Sequence, residues 1–183
     1  MIEELWSTHI YKDNINDKDY VNQLFNYFLI NDTKCNAYGY ESGKIQSSIT
    51  DTDLIFNKLD NFVHECVDKY VGEVFKVKSF NFWDTKISFS NAINMKAHYH
   101  HEAVISGVFY IQTISGALVL HDPRNVSNRG YPIGFQQYFS SHSWLPTAGD
   151  IIIFPSYLLH EVPWESQSSL RFVMPFDSYY TKN

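Results

Sequence analysis

The chain has 183 residues, of which 44% are hydrophobic, 17% aromatic and 19% charged, and its formal net charge is −6. This length suits one domain with a proper core, and the aromatic content is typical of β-sheet proteins rather than of disordered chains. The acidic balance includes no basic run, so the composition argues against nucleic-acid backbones and anionic membranes as partners.

Three features of the sequence indicate the compartment in which the protein works. Residues 1–6 lack the basic start and apolar run of a signal peptide, and no apolar stretch approaches the roughly 20 residues that a membrane helix needs. The two cysteines, Cys35 and Cys66, have no CxxC spacing. One disulfide between them is the alternative, but we expect two free thiols in a reducing compartment. We therefore expect a soluble, cytoplasmic, single-domain protein.

Two amphipathic helices are predicted in the first 75 residues. Residues 17–30 begin with acidic side chains suited to a helix N-terminus, and residues 52–70 repeat apolar side chains at spacings of three and four. Residues 36–50, which are rich in Gly, Ser and Tyr, are predicted to form a loop that separates the helices and that has room for one short strand.

Short strands are predicted after residue 74. They cover residues 77–82, 86–95, 104–113, 117–121, 151–154, 160–162 and 170–176. The turn at Ser115-Gly116 makes residues 117–121 the expected hairpin partner of 104–113. Residues 122–146 are predicted to form a long loop over an open end, where His142 could contact a substrate. The pattern predicts a mainly β, α+β fold whose N-terminal helices pack on one sheet of a sandwich or barrel.

A histidine cluster lies in the middle of this region, at His98-Tyr99-His100-His101. On a strand, His98 and His100 point to the same face, and two imidazoles so placed can reach one divalent metal ion. Glu102 has the same parity and is a further potential ligand. A solvated histidine cluster is the alternative that the triplet alone leaves open.

His160 and Arg171 strengthen the metal interpretation. His160 follows a turn, a buried strand and a Pro-containing corner, and ten residues lie between it and Arg171. Arg171 stands in an apolar strand, where a guanidinium is costly unless it binds a carboxylate, which it can do with two parallel hydrogen bonds. An ion pair with Glu161 or Glu165 is the structural alternative.

These residues resemble the pattern of iron(II)/2-oxoglutarate-dependent oxygenases, in which a His-x-Asp/Glu pair precedes a distal His and a later Arg or Lys. More closely, the chain resembles a family of such oxygenases common in marine bacteria and their phages, within the prolyl-hydroxylase-like superfamily. The resemblance covers residues 83–176. Its motifs are His98-Tyr99-His100 followed by Ser106-Gly107-Val108-Phe109-Tyr110, then Asp122-Pro123-Arg124, and then the segment 149–160.

The resemblance implies one oxygenase domain over residues 1–183, with a helical part at 1–75 and a double-stranded β-helix, or jelly-roll, at 76–183. It implies Fe(II) as the metal, 2-oxoglutarate as cosubstrate and Arg171 as the group that binds the distal carboxylate of 2-oxoglutarate. The implied activity is hydroxylation of a peptide or small molecule with release of succinate and CO2, in a bacterial cytoplasm or that of a phage host. A homodimer is one option for its assembly.

The chain departs from the family pattern at the third ligand. His100 stands where the superfamily usually has the carboxylate of a 2-His-1-carboxylate site. Either His98, His100 and His160 bind the metal together, or His100 and Glu102 form the pair and His98 lies outside the ligand set. The first option is preferred, because the strand at Ser106-Gly107 starts so soon after Glu102.

Two other classes of function compete with this one. A cupin-like three-histidine metalloprotein would not need 2-oxoglutarate, and Arg171 argues against it because such a site has no use for a basic residue there. A non-catalytic jelly-roll binding module would have no cause to combine three imidazoles with an arginine.

Overall fold

The computed structural model describes residues 7–30, 39–40, 44–48, 54–76, 83–90, 95–113, 116–124, 132–136, 140–163 and 171–180. The helices are α1 (Lys18–Ile30), α2 (Asn57–Phe75, preceded by a 3-10 turn at Leu54–Phe56) and the short α3 (Ile133–Gln136). The strands are β1 (Tyr11–Asn14), β2 (Gly39–Tyr40), β3 (Lys44–Ser48), β4 (Trp83–Ser90), β5 (Met95–His98), β6 (Ile105–Thr113), β7 (Leu118–His121), β8 (Ser141–Trp144), β9 (Asp150–Pro155), β10 (His160–Val162) and β11 (Arg171–Tyr180). Within these residues, no helix is long and apolar enough to cross a membrane.

The strands form two sheets. The larger sheet has the order β1-β9-β6-β11-β4-β3-β2, and the smaller has the order β5-β10-β7-β8. All the pairings among these described strands are antiparallel. The fold is therefore mainly β, with two sheets and two principal helices.

Both predicted helices are confirmed, with different ends. The Asp17 carboxylate accepts a hydrogen bond from the Tyr20 backbone N–H at 2.9 Å, which caps α1 at the predicted place. Helix α2 continues to Phe75, five residues beyond the prediction, because Val71 and Val74 extend its apolar stripe. It ends at Lys76, whose φ of 57° is left-handed.

The two faces of the larger sheet pack into two separate hydrophobic cores. Ile105, Phe109 and Ile111 of β6 pack with the buried faces of α1 and α2. Val108 and Tyr110 point the other way, into an apolar cluster between the two sheets. Because both faces of the sheet are covered, the residues of β6 are buried along most of the strand, whichever face they point to.

The hairpin predicted for residues 104–113 and 117–121 is wrong. β6 pairs with β9 on one side and β11 on the other, so neither of its edges is open to β7. Gly116, with φ of 98°, turns the chain across to the smaller sheet, where β7 pairs with β10 and β8.

Two other strand predictions need correction. The predicted strand at 86–95 divides between β4, which ends at Ser90 in the larger sheet, and β5, which begins at Met95 in the smaller one. The predicted loop at 122–146 contains α3 and β8. The predicted strand at 77–82 lies outside the described residues.

Candidate metal centre

Three histidines converge between the sheets. His98 ends β5, His160 begins β10, and the two are direct cross-strand partners. His100 lies beyond the end of β5, where its backbone N–H donates to the Ser156 carbonyl at 3.0 Å. One ligand nitrogen from each ring lies within 4.8 Å of the others. The sequence analysis predicted from strand parity that His98 and His100 point to the same face. In the structure β5 ends at His98, and the hydrogen bond to Ser156 holds His100 beside it instead.

The hydrogen bonds of the three rings favour one tautomer. His98 Nδ1 lies 2.7 Å from the Lys96 carbonyl oxygen, and His160 Nδ1 lies 2.8 Å from that of Leu158. His100 Nδ1 lies 2.7 Å from Asp177 Oδ2. Carbonyls and carboxylates only accept, so each Nδ1 carries the proton and donates it. Each Nε2 lone pair is then left to bind a metal ion.

His160 is the most buried of the three, with 6% of its surface exposed. Burial lowers its pKa to about 4, with the hydrogen bond to Leu158 opposing the shift. The ring is therefore neutral at neutral pH, which is the form that a metal ion requires. Phe154 packs edge-on against it at 4.8 Å between ring centroids.

Asp177, which the sequence analysis did not single out, lies directly behind His100. Its Oδ2 accepts from His100, and its Oδ1 accepts from the Ser106 hydroxyl at 2.6 Å. Ser106 also lies 2.9 Å from the Ser156 hydroxyl. These contacts join β11, β6 and the segment after β9 beneath the histidines. The only signal in the sequence was parity, since Arg171 and Asp177 are six residues apart on one strand.

Arg171 begins β11 and lines the same cavity as the histidines, a space of about 110 Å³ between the two sheets. It is 3% exposed, and burial lowers its pKa, while the neighbouring Tyr110 opposes the shift. The guanidinium carbon lies 5.8 Å from the centre of the Tyr110 ring. The cavity therefore combines a group of imidazole nitrogens with a buried cation.

The sequence left open an ion pair between Arg171 and either Glu161 or Glu165. Glu161 Oε1 lies 3.0 Å from His121 Nε2, and this pair belongs to the smaller sheet. Glu165 lies outside the described residues.

Glu102, the other candidate for the third ligand, is exposed in the bend after His100. Among the described residues, the group of side chains that could hold a metal consists of His98, His100 and His160, without Glu102. The donor chemistry fits iron, because neutral imidazoles are good ligands for it and three of them, from two segments of the chain, meet at one point.

His142 belongs to the same row of the smaller sheet. The register places His98 opposite His160, His160 opposite Leu120, and Leu120 opposite His142. Leu120 points between the sheets, so its partner His142 has the same orientation. His142 is exposed on β8, the edge strand of this sheet.

Solved structures with a similar fold include two prolyl hydroxylases and a 2-oxoglutarate-dependent epimerase. A prolyl-4-hydroxylase from Pseudomonas putida is similar with a TM-score of 0.68 and 14% identity, over 97% of this chain and 95% of that one. A prolyl hydroxylase from Trichoplax adhaerens, solved with a peptide fragment of hypoxia inducible factor, has a TM-score of 0.62 and 11% identity over 93% and 83%. The 2-oxoglutarate-dependent epimerase SnoN of nogalamycin biosynthesis has a TM-score of 0.60 and 9% identity over 94% and 80%.

Sequence comparison identifies the family. No curated protein sequence matches the chain. The sequence model of a family described as "Putative 2OG-Fe(II) oxygenase" matches residues 81–177, which is more than half of the chain and includes all three histidines, Arg171 and Asp177. With the solved structures showing the fold and the three histidines able to hold a metal, the chain belongs to this family of 2-oxoglutarate- and iron(II)-dependent oxygenases.

Proposed function

We propose that the protein is a dioxygenase that hydroxylates a peptide or a small molecule, using Fe(II) and 2-oxoglutarate at the cavity between the sheets. The observation that carries the proposal is the presence of His98, His100, His160 and Arg171 around one cavity. Imidazoles alone would suit several metals, whereas a buried guanidinium beside them suits a dicarboxylate cosubstrate.

Each residue has a separate task in this proposal. The Nε2 atoms of His98, His100 and His160 hold the iron on one side, and Arg171 binds the distal carboxylate of 2-oxoglutarate. When bound, iron and 2-oxoglutarate supply the oxidation, in which dioxygen is consumed, succinate and CO2 are released and one oxygen atom enters the substrate. Val108, Leu118, Phe154 and Val173 line the cavity and exclude water from it.

We further propose that residues 76–183 form a double-stranded β-helix and that the whole chain is a single domain. The path of the chain supports this arrangement, because it crosses repeatedly from one sheet to the other. β4, β6, β9 and β11 lie in the larger sheet, and β5, β7, β8 and β10 lie in the smaller one. The order β9-β6-β11-β4 faces the order β5-β10-β7-β8. The site then lies at the open end, as it does in barrels that hold small ligands.

The proposed substrate class draws on the neighbours. The Trichoplax adhaerens enzyme is described with a peptide, and SnoN acts in the biosynthesis of a small molecule. The net charge of −6 argues against a nucleic acid. A homodimer, a cytoplasmic location and a phage origin stay predictions.

The proposal is tested by anaerobic titration. Fe(II) is added to the metal-free protein, followed by 2-oxoglutarate, and the visible spectrum is recorded. We expect a charge-transfer band that appears only with both components and, on admitting air, slow formation of succinate. His160→Ala should abolish metal binding, whereas the exposed His64→Ala should not.

Arg171→Met separates the metal from the cosubstrate. It should leave Fe(II) binding intact and raise the concentration of 2-oxoglutarate needed for the band at least about tenfold, because a charge-assisted hydrogen bond contributes about 1.5–3 kcal/mol. Tight Fe(II) binding without any 2-oxoglutarate-dependent band would instead favour the cupin-like three-histidine alternative. Retention of metal by His160→Ala would contradict the ligand assignment.

A further inference from the structure

Asp177 stands out among the groups behind the three histidines. The Nδ1 atoms of His98 and His160 donate to backbone carbonyls, which are neutral. His100 donates instead to the carboxylate of Asp177, at 2.7 Å, and among the Nδ1 contacts of the three rings in the described part of the chain this is the one with a charged acceptor. His100 is also the residue that stands where related oxygenases usually have a metal-bound carboxylate. The missing negative charge is therefore present at this ligand, one hydrogen bond further from the metal position.

We infer that Asp177 is a positioning residue that supplies, through His100, the negative charge that a directly bound carboxylate supplies in other oxygenases. The inference rests on the proposed function, because it assumes that His100 binds the metal. A set of three neutral imidazoles leaves the charge of a divalent ion without compensation. A carboxylate that accepts the Nδ1–H makes the ring a more basic ligand and fixes its orientation.

The surroundings of Asp177 are built to hold the carboxylate in one orientation. Its Oδ1 accepts from Ser106, which is 2% exposed and directly opposite Asp177 in the β6–β11 register. Ser106 Oγ also lies 2.9 Å from the hydroxyl of Ser156, and the Ser156 carbonyl accepts from the His100 backbone N–H. One network thus fixes both the ring of His100 and the carboxylate behind it, so that neither can turn away independently.

A purely structural role for the same network makes a different prediction, and substitutions can separate the two. Asp177→Asn keeps the shape and an oxygen that can accept from His100, but removes the charge. His100→Asp places a carboxylate at the metal itself and removes the ring through which Asp177 would act. Combining the two substitutions tests whether Asp177 acts through His100.

The experiment measures the affinity for Co(II), as an air-stable probe, and for Fe(II) under anaerobic conditions, by competition with a chelator. We expect Asp177→Asn to weaken metal binding about 10–100-fold in the natural sequence. In the His100→Asp background it should cause no weakening, because the site then has its own carboxylate and a second one nearby only repels it. The visible bands of bound Co(II) should shift with Asp177→Asn and should not shift with the control variant, Asp60→Asn.

The control is Asp60→Asn. Asp60 Oδ1 lies 3.4 Å from His64 Nδ1 in an exposed pair on α2, so this variant removes the same charge from a histidine–aspartate pair away from the site. It should leave metal affinity unchanged. Ser106→Ala, which keeps the charge and loosens its orientation, should weaken metal binding less than Asp177→Asn, and it provides a second measurement if Asp177→Asn folds poorly.

The outcomes distinguish the inference from the function on which it rests. Equal weakening by Asp177→Asn in both backgrounds, or none in either, overturns the role of Asp177 while metal binding and the 2-oxoglutarate band stand. Absence of metal binding by the unsubstituted protein overturns both. Metal binding that depends on Asp177 as described, without a 2-oxoglutarate band, supports the inference and overturns only the cosubstrate.

Discussion

Gly107 occupies a position beside the site where the packing leaves no room for a side chain. A Cβ atom built at this position would lie 2.2 Å from Phe176 Cζ and 2.7 Å from the Ile152 carbonyl oxygen. β6 is hydrogen-bonded to β9 and β11 on its two sides, so the backbone of Ile152 cannot retreat without disturbing the sheet. The glycine of the Ser106-Gly107 motif is therefore required by close packing and not by backbone conformation.

We predict that Gly107→Ala lowers the free energy of unfolding by about 1–3 kcal/mol, the usual cost of overfilling a packed interior. Urea denaturation followed by circular dichroism measures the change. Gly134→Ala is the matched control, because a Cβ there meets nothing within 4 Å. Equal stability of the two variants would contradict the packing argument.

The sequence predicts some residues of the site and not others, for a physical reason. His98, His160 and Arg171 could be predicted because their spacing matches a known pattern and because a guanidinium is costly in an apolar strand. Asp177 could not be assigned, because its role depends on the pairing of β11 with β6, which places it against Ser106. Contacts of that kind depend on register between distant segments, and a single sequence does not specify register.

The smaller sheet aligns three histidines in one row across its strands. His98, His160 and His142 follow one another across β5, β10 and β8, with Leu120 of β7 between the last two. Neighbouring strands are about 4.8 Å apart, so His142 is separated from His160 by two such spacings, or about 10 Å. This distance suits a side chain that contacts a substrate beside the metal.

His142 can be placed by its response to a paramagnetic ion. We predict that Mn(II), bound in place of Fe(II), broadens the NMR signals of the His142 ring, while those of His64 stay sharp because α2 lies behind the larger sheet. The variants His142→Gln and His64→Gln assign the two signals. His142→Gln should leave the affinity for Mn(II) unchanged. A sharp His142 signal in the metal-loaded protein would show that this side chain points away from the cavity.

Element types were easier to predict than their partners. The helices and most strands follow from periodicity, since apolar spacing reports which faces are buried. The pairing of β7 did not follow, because hairpin formation after Gly116 competes with β9 and β11 for the two edges of β6. β9 begins 29 residues after the end of β7, and β11 begins later still, so the sequence near Gly116 carries no sign of the competition.

The helices and the larger sheet share one core. Ten of its buried residues come from α1 and α2, and eight come from β6, β9 and β11. Leu24, Val63 and Ile153 are fully buried in it. Removal of the helices would expose the apolar face of the sheet to water, at a cost of roughly 25 cal/mol for each Å² uncovered.

This shared core predicts that residues 1–75 and 76–183 unfold together. In the full chain, helix content followed by circular dichroism and tryptophan fluorescence should give one coincident transition in urea, because neither layer can keep its buried face without the other. The fragment 76–183 should bind an apolar dye and show no cooperative transition. Two separate transitions in the full chain, or a fragment that unfolds cooperatively and binds Co(II), would contradict the single-domain proposal. In that case the helices would be an attachment to an independently stable metal-binding barrel.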